Sequence, residues 1–410
     1  MQTMVERGCG LDVHQATVVA CLLIVRKGGR VQKQMRTFGT TTRDLVNLRE
    51  WLLSEGCTHL AMESTGVYWK PVYAILEGAL QIVVANAQHV KKVPGRKTDV
   101  KDAEWLADLL CHGLLRSSFV PPKPIRELRD LTRYRRKLVE SQAAERNRLL
   151  KLLETANIKL SSVATDVFGA SGRLMLRALI EGKATPQEMA VLAKGKLRNK
   201  IPELELALEG NLQEHHRFLL ELQLQRLEAA EKDLAMLEQR IQQKLEPYAT
   251  QMQLLDEIPG VDWGVAAVVI AELGVDMSVF QTVSQLVSWA GICPGNNESA
   301  GKRKSSRITK GNVYLKTALV EAANAAARAK GTYLRDKFYR LKARRGYKRA
   351  LVAVAHKMLV ATYHMLSHNV SYNELGDLYL DKLNKHHLTR NLVHRLERLG
   401  FEVTLQLKAA

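Results

Sequence analysis

Cysteine is scarce in this chain of 410 residues. There are five, Cys9, Cys21, Cys57, Cys111 and Cys293, and no two stand at CxxC spacing. An odd, scattered set excludes a disulfide framework and a thiolate zinc site, and it fits a reducing cytosol. Proline (10) and glycine (26) are too few for a collagen-like or low-complexity chain. No apolar stretch approaches the roughly 20 residues of a membrane span. The first such run, Ala16 to Val25, reads as a strand rather than a secretory signal. The Walker pattern GxxxxGKS/T is absent, so nucleotide hydrolysis has no support.

Acid is also in deficit. Lys and Arg number 61 against 42 Asp and Glu, a net charge of +19. The excess is concentrated. Residues 302–349 hold 16 Lys/Arg against only Glu321 and Asp336, whereas residues 161–250 are close to neutral. A coat that only keeps the protein soluble would be smoother. A face that binds phosphates would look like this, so nucleic acid is the expected partner.

Hydrophobic patterning divides the chain. Residues 8–25 are apolar and β-branched, a turn follows at Lys27-Gly28-Gly29-Arg30, and Val31 to Phe38 reads as the second strand of a hairpin. A helix over 42–53, a strand over 59–63, a helix over 68–76, a strand over 81–85 and a helix over 99–110 predict an α/β domain with a mixed sheet, residues 1–120. Pro121-Pro122-Lys123-Pro124 breaks the chain. A helical middle over 121–250 follows. On its first tract Leu128, Leu131, Leu138, Leu149 and Leu152 form an apolar face, and Arg129, Arg133, Arg135, Arg136 and Lys137 are expected on the other, free to meet nucleic acid. In the second tract Leu220, Leu227, Leu234 and Ile241 fall seven apart, but Glu231 and Glu238 interrupt the companion apolar position. That pattern fits a short coiled coil or antiparallel pair, and equally a buried helix inside one domain. Residues 251–370 form a mainly α domain. It opens on a helix, Pro-Gly turn and helix at 254–274, either a helix–hairpin–helix that offers backbone N–H groups to phosphate or an ordinary helical hairpin. Residues 371–410 are a C-terminal extension.

Two constellations carry chemistry. The first is acidic. Asp12 lies within an apolar strand, where a charge is costly unless paired or bound to metal. Glu63 ends another strand. Asp99 and Asp102 stand three apart at a helix start, on one face. Converging at strand ends, four carboxylates suit Mg²⁺ or Mn²⁺ and phosphodiester chemistry. Singly, each reads equally well as a cap or a surface acid. His14 lies close enough to Asp12 to join the site, while the pairs His215-His216 and His386-His387 read as surface. The second constellation is the loop at 294–312, with Ser299, Ser305 and Ser306 among Lys302, Arg303, Lys304, Arg307 and Lys310. The basic residues suit a scissile phosphate. Whether a serine is a nucleophile or only a hydrogen-bond donor, and which serine, composition does not distinguish.

The segments GLDVHQATVVAC, AMESTGVYWKPVY, VPGRKTDVKDAEWLADLL, VPPKPIRELRDLTRYRRKLV and WAGICPGNNESAGKRK together resemble a transposase of the insertion-sequence-110 family, end to end. Its members include bridge-RNA-guided recombinases, and the long C-terminal extension is similar to the insertion-sequence-1111 subgroup. The resemblance implies an N-terminal RNase H-like (RuvC-like) domain whose D-E-D-D set maps to Asp12, Glu63, Asp99 and Asp102. It further implies a nucleophilic serine in the S-x-G-K segment, here Ser299. Mg²⁺-dependent DNA cleavage and strand exchange through a phosphoserine link are implied with it. So are donor and target DNA, a bridge RNA as guide, a homo-tetramer built as a dimer of dimers, and a cytoplasmic, nucleoid-associated place in a bacterium. The alternatives on the residues alone are a RuvC-like Holliday-junction endonuclease using metal-activated water, and a non-catalytic nucleic-acid-binding protein.

Overall fold

A computed structural model describes residues 4–26, 30–64, 66–90, 102–294, 297–305 and 307–406. Contacts divide the chain into two compact units, Met1–Val120 and Pro121–Ala410.

The first unit is a five-stranded mixed sheet with helices on both faces. Its elements are β1 (Arg7–Val13), β2 (Thr17–Val25), β3 (Val31–Gly39), α1 (Thr42–Ser54), β4 (His59–Glu63), α2 (Trp69–Leu76), β5 (Gln81–Ala85), α3 (Ala87–Val90) and α4 (Asp102–Cys111). The strand order is β3-β2-β1-β4-β5; the first three strands form an antiparallel meander, and β4 and β5 run parallel to β1. The apolar pattern makes 8–25 one continuous strand. The structure splits it into β1 and β2 at His14-Gln15-Ala16, closed by a bond from His14 N–H to Thr17 O (2.9 Å). None of these three residues is Gly, Pro, Asn or Asp, so the usual turn signal is missing. With that turn the first three strands form a meander where the pattern predicts only a hairpin.

Strand alternation sorts the two faces. Cys9, Leu11, Leu22, Leu60 and Met62 pack with Leu45, Leu48 and Leu52 of α1 and Val72 and Leu76 of α2. On the opposite face Ala61 and Ala85 meet Leu106, Leu109 and Leu110 of α4, and Cys21 and Leu23 meet Ala103, Ala107 and Cys111. Leu11 is fully buried, and truncating such a side chain to Ala costs about 2–5 kcal/mol.

The second unit is helical. Two long helices dominate its first half, α5 (Lys123–Thr155) and, after the short α6 (Leu160–Val163), α7 (Ala170–Glu181), α8 (Pro186–Val191) and α9 (Ile201–Leu208), the helix α10 (Glu214–Leu245). Ion pairs Glu127–Lys244, Arg135–Glu238 and Arg146–Glu231 show that α5 and α10 are antiparallel, since one number rises as the other falls. Leu149 and Leu153 of α5 and Leu220, Leu224 and Leu227 of α10 enter one core with α7, α8 and α9. The two acids that interrupted the heptad repeat are explained: Glu238 takes Arg135, and Glu231 takes Arg146 together with Arg173 of α7.

The second half holds α11 (Ala249–Asp256), α12 (Trp263–Leu273), α13 (Val283–Ala290), the two-stranded ribbon β6 (Asn297–Ser299) and β7 (Lys302–Ser305), and α14 (Val313–Ala326). Then come α15 (Tyr333–Arg345), α16 (Tyr347–His368), α17 (Tyr379–Leu383) and α18 (Lys385–Arg398). By length and composition α16 is apolar enough to cross a membrane. Its Ala350, Leu351, Val354, Ala355, Met358 and Leu359 are instead buried in this unit.

Candidate nucleic-acid-processing site

The acidic constellation is built on β1, β4 and α4. Asp12 follows Leu11, which stands opposite Met62 in the parallel β1–β4 pair, and Glu63 follows Met62. Alternation places Asp12 on the face of Gly8 and Gly10, and Glu63 on the face of Ala61. Both faces are the one covered by α4. Asp102 is the first residue of α4. The helix sits directly on the strand: a Cβ at Gly10 would lie 2.1 Å from the Ala103 carbonyl oxygen. Hence Asp12, Glu63 and Asp102 share one face of the sheet at the carboxyl ends of neighbouring strands.

Asp12 is 29% exposed, and its Oδ2 lies 3.1 Å from His14 Nε2. Among the described residues, no three His, Cys, Asp or Glu side chains lie close enough together to hold a metal ion. Asp99 lies outside the described residues. The donor set, oxygen only, is chemically suited to a hard divalent cation.

The serine segment is a closed excursion between α13 and α14. At its root Gly291 (φ +71°) and Gly311 touch so closely that a Cβ on Gly311 would lie 2.4 Å from Gly291 N. Asn312 N–H donates to Trp289 O (3.2 Å), and Pro294 and Ile308 form a bridge. The tip is the β6–β7 ribbon, in which Ser299 pairs with Lys302 across Ala300-Gly301. Both linking residues have positive φ, +51° and +73°, the geometry of a type I′ turn. An alanine there is strained by about 1 kcal/mol. Ser299, Arg303 and Lys304 are described in backbone only. Lys302, Arg307 and Lys310 are exposed.

The basic residues of α5 are placed differently from the expectation of one solvent face. Arg129 and Arg133 turn inward to Glu272 of α12, which is fully buried. Arg135 is held by Glu238, and Arg136 and Lys137 by Glu140. Glu140 is accordingly held below the usual carboxylate range, first by Lys137 and then by Arg136. Arg133, Arg135 and Arg136 line a cavity of roughly 510 Å³ with Trp263, Gly264 and Tyr314. Arg133 stacks on Tyr314 (4.5 Å) and Arg135 approaches Trp263 (5.9 Å). The Pro-Gly turn enters the same wall, with Gly260 (φ +88°) pressed on α14, where a Cβ would lie 2.4 Å from Ala322 O.

Sequence reasoning missed Glu272. It is the only charged residue of α12, WGVAAVVIAEL. The argument applied to Asp12, a charge in an apolar element, finds it equally well.

A face of carboxylates on one unit, and exposed Lys302, Arg307 and Lys310 in the serine segment of the other, are the equipment of a DNA-processing enzyme. Family comparison sharpens this. A model of the DEDD transposases of IS110 type matches residues 9–158, and a model described as the transposase IS116/IS110/IS902 family matches residues 252–340. Together they span more than half of the chain, which belongs to the IS110 family of transposases. No curated protein matches it.

Proposed function

We propose that this transposase cuts and exchanges DNA strands with Ser299 as nucleophile and with Asp12, Glu63, Asp99 and Asp102 as a metal-holding set on an RNase H-like (RuvC-like) domain. The observation that carries the reading is where the family matches fall. One covers the strand ends and helix start that carry the acids, and the other covers the ribbon that carries Ser299.

The Ser299 hydroxyl oxygen attacks the scissile phosphorus. A phosphoserine ester forms as the serine gives up its hydroxyl proton, the P–O bond to deoxyribose breaks, and the departing sugar oxygen takes up a proton in its place. The bond energy stays in the ester, so a second DNA hydroxyl reverses the step on a new strand without ATP. Lys302, Arg303, Lys304, Arg307 and Lys310 supply the positive charge that offsets the phosphate's developing charge. Asp12, Glu63, Asp99 and Asp102 would hold a divalent cation, Mg²⁺ or Mn²⁺, which would supply Lewis acidity at a phosphodiester. On α5 the exposed Lys137 and its neighbour Arg136 serve the nucleic-acid backbone, whereas Arg133 and Arg135 are tied to Glu272 and Glu238.

We assign donor and target DNA as substrates, a bridge RNA from the element as guide, a tetramer made as a dimer of dimers as the working assembly, and the bacterial cytoplasm as its place. Sequencing the RNA that copurifies tests the guide.

Denaturing gels of Ser299→Ala, Asp12→Ala and Asp102→Ala test the chemistry. Wild type is expected to leave an SDS-resistant protein–DNA adduct, and Ser299→Ala none. Cleavage that persists in Ser299→Ala and is lost in Asp12→Ala would favour hydrolysis by water, as in a junction endonuclease. Cleavage unaffected by all three would leave a binding protein.

A further inference from the structure

Glu272 is 0% exposed and sits one residue before the end of α12. Its carboxylate accepts from Arg133 Nε (2.7 Å) and Nη2 (2.8 Å) of α5, and from Asn312 Nδ2 (2.6 Å). Arg129 Nε lies 3.3 Å away, and the same guanidinium donates to the carbonyls of Ala271 and Glu272, closing the helix end. Burial pulls Arg129 down to about 10, with Glu272 opposing, so it stays charged at neutral pH.

Asn312 serves three contacts at once. Its Nδ2 binds Glu272, its Oδ1 accepts from Leu315 N–H and caps α14, and its backbone N–H donates to Trp289 of α13. It is also the last residue of the excursion that carries Ser299. Capping alone does not call for a buried acid: Thr282 and Thr332 cap α13 and α15 through their own hydroxyls. A buried carboxylate is costly unless its partners offset it. What Glu272 adds is a fixed link between α5 and the root of the serine ribbon.

We infer that Glu272 is a positioning residue, which through Asn312 holds the root of the 291–312 excursion in register with α5 and so sets the aim of the ribbon tip. The link to catalysis rests on the reading of Ser299 as nucleophile; the link to ribbon order does not.

Exchanging the two partners isolates the effect. Asn312→Asp keeps a good cap for α14 but removes the amide donor and sets two carboxylates face to face. Adding Glu272→Gln restores one donor and one carboxylate, in reversed order. Three quantities are measured on the full-length protein: hydrogen exchange of residues 297–305, the rate of SDS-resistant adduct formation at saturating DNA, and DNA affinity. Asn312→Asp is expected to speed exchange across the ribbon and to slow adduct formation roughly ten- to hundredfold, the size of effect that small misplacement produces, with affinity unchanged. The double variant returns a donor–acceptor pair to the 272–312 contact but costs Arg133 one acceptor, so it is expected to recover part of both losses. Ribbon exchange that is unchanged in Asn312→Asp, or lost equally in the single and double variants, overturns the inference whatever the nucleophile is. Failure of wild type to form an adduct, or an adduct in Ser299→Ala, overturns the serine reading and leaves the exchange result to decide this one.

Discussion

Gly10 lies directly beneath Ala103. The Cβ that any other residue would carry at position 10 falls 2.1 Å from the Ala103 carbonyl oxygen and 2.5 Å from the Ala107 nitrogen. Both atoms are helix backbone, so neither can swing aside. The close approach seats α4 on β1 and brings its first residue, Asp102, over the strand face that ends in Asp12.

Gly10→Ala should therefore lift α4 and move Asp102 while leaving every carboxylate in the chain. We expect a loss of about 1–3 kcal/mol, the usual cost of overpacking, and a fall in DNA cleavage much larger than the stability change explains. Thermal melts beside cleavage rates check this. Wild-type cleavage in Gly10→Ala would remove α4 seating from the account of the site.

Arg133 and Lys310 are both basic, yet they should respond differently to alanine. Arg133→Ala leaves the buried Glu272 short of its main partner, and removal of one partner from a buried pair costs about 3–5 kcal/mol. The combined change Lys302→Ala, Arg307→Ala and Lys310→Ala removes exposed charge, so stability should hold. If all three meet phosphates, the slope of log affinity against log salt should fall by about 0.9 for each. Denaturant melts and binding titrations at several salt concentrations separate the two. An unchanged slope would take these three out of the interface.

Four of the five cysteines should be inert in the folded protein. Cys9, Cys21, Cys57 and Cys111 are buried and Cys293 is partly exposed. Burial pushes Cys21 up to about 11 and Cys57 up to about 12 from an ordinary 9.0. At pH 8 a thiol-specific alkylating agent should label Cys293 first and the other four only after denaturation; peptide mapping would read this.

The same shifts set a pH window for the N-terminal unit. The unfolded chain loses these thiol protons near 9.0, while the folded chain keeps them to about 11 and 12. The contribution is complete below 9 and drains away as pH rises toward 12. Denaturant melts of the wild type against Cys21→Ala with Cys57→Ala should show the wild type losing stability more steeply above pH 9.

Much of this arrangement was legible in the residues. Apolar alternation and helical spacing marked the α/β region, the proline run stood where the two compact units part, and Asp12 announced itself by its apolar neighbours. Local pattern failed where a tertiary partner decides the outcome. The turn at His14-Gln15-Ala16 has no turn-forming residue and is set by pairing of β1 with β2. Arg129 and Arg133 looked like a solvent face because their counter-charge, Glu272, is more than a hundred positions away in sequence. Glu231 and Glu238 looked like faults in a heptad until α5 and α7 supplied arginines. Which serine of 299, 305 and 306 carries chemistry was not legible from composition, since all three share one basic surrounding.

The charged stretch of the α5–α10 seam also fixes alignment. A seam of leucines alone would fit nearly as well after sliding by seven residues. Here a slide in one direction sets Arg146 against Leu224, and in the other it sets Arg135 against Leu245, with one cross-helix pair left of the three. The hairpin of long helices thus has a single comfortable alignment, and whatever docks along it meets a ruler whose graduations do not shift.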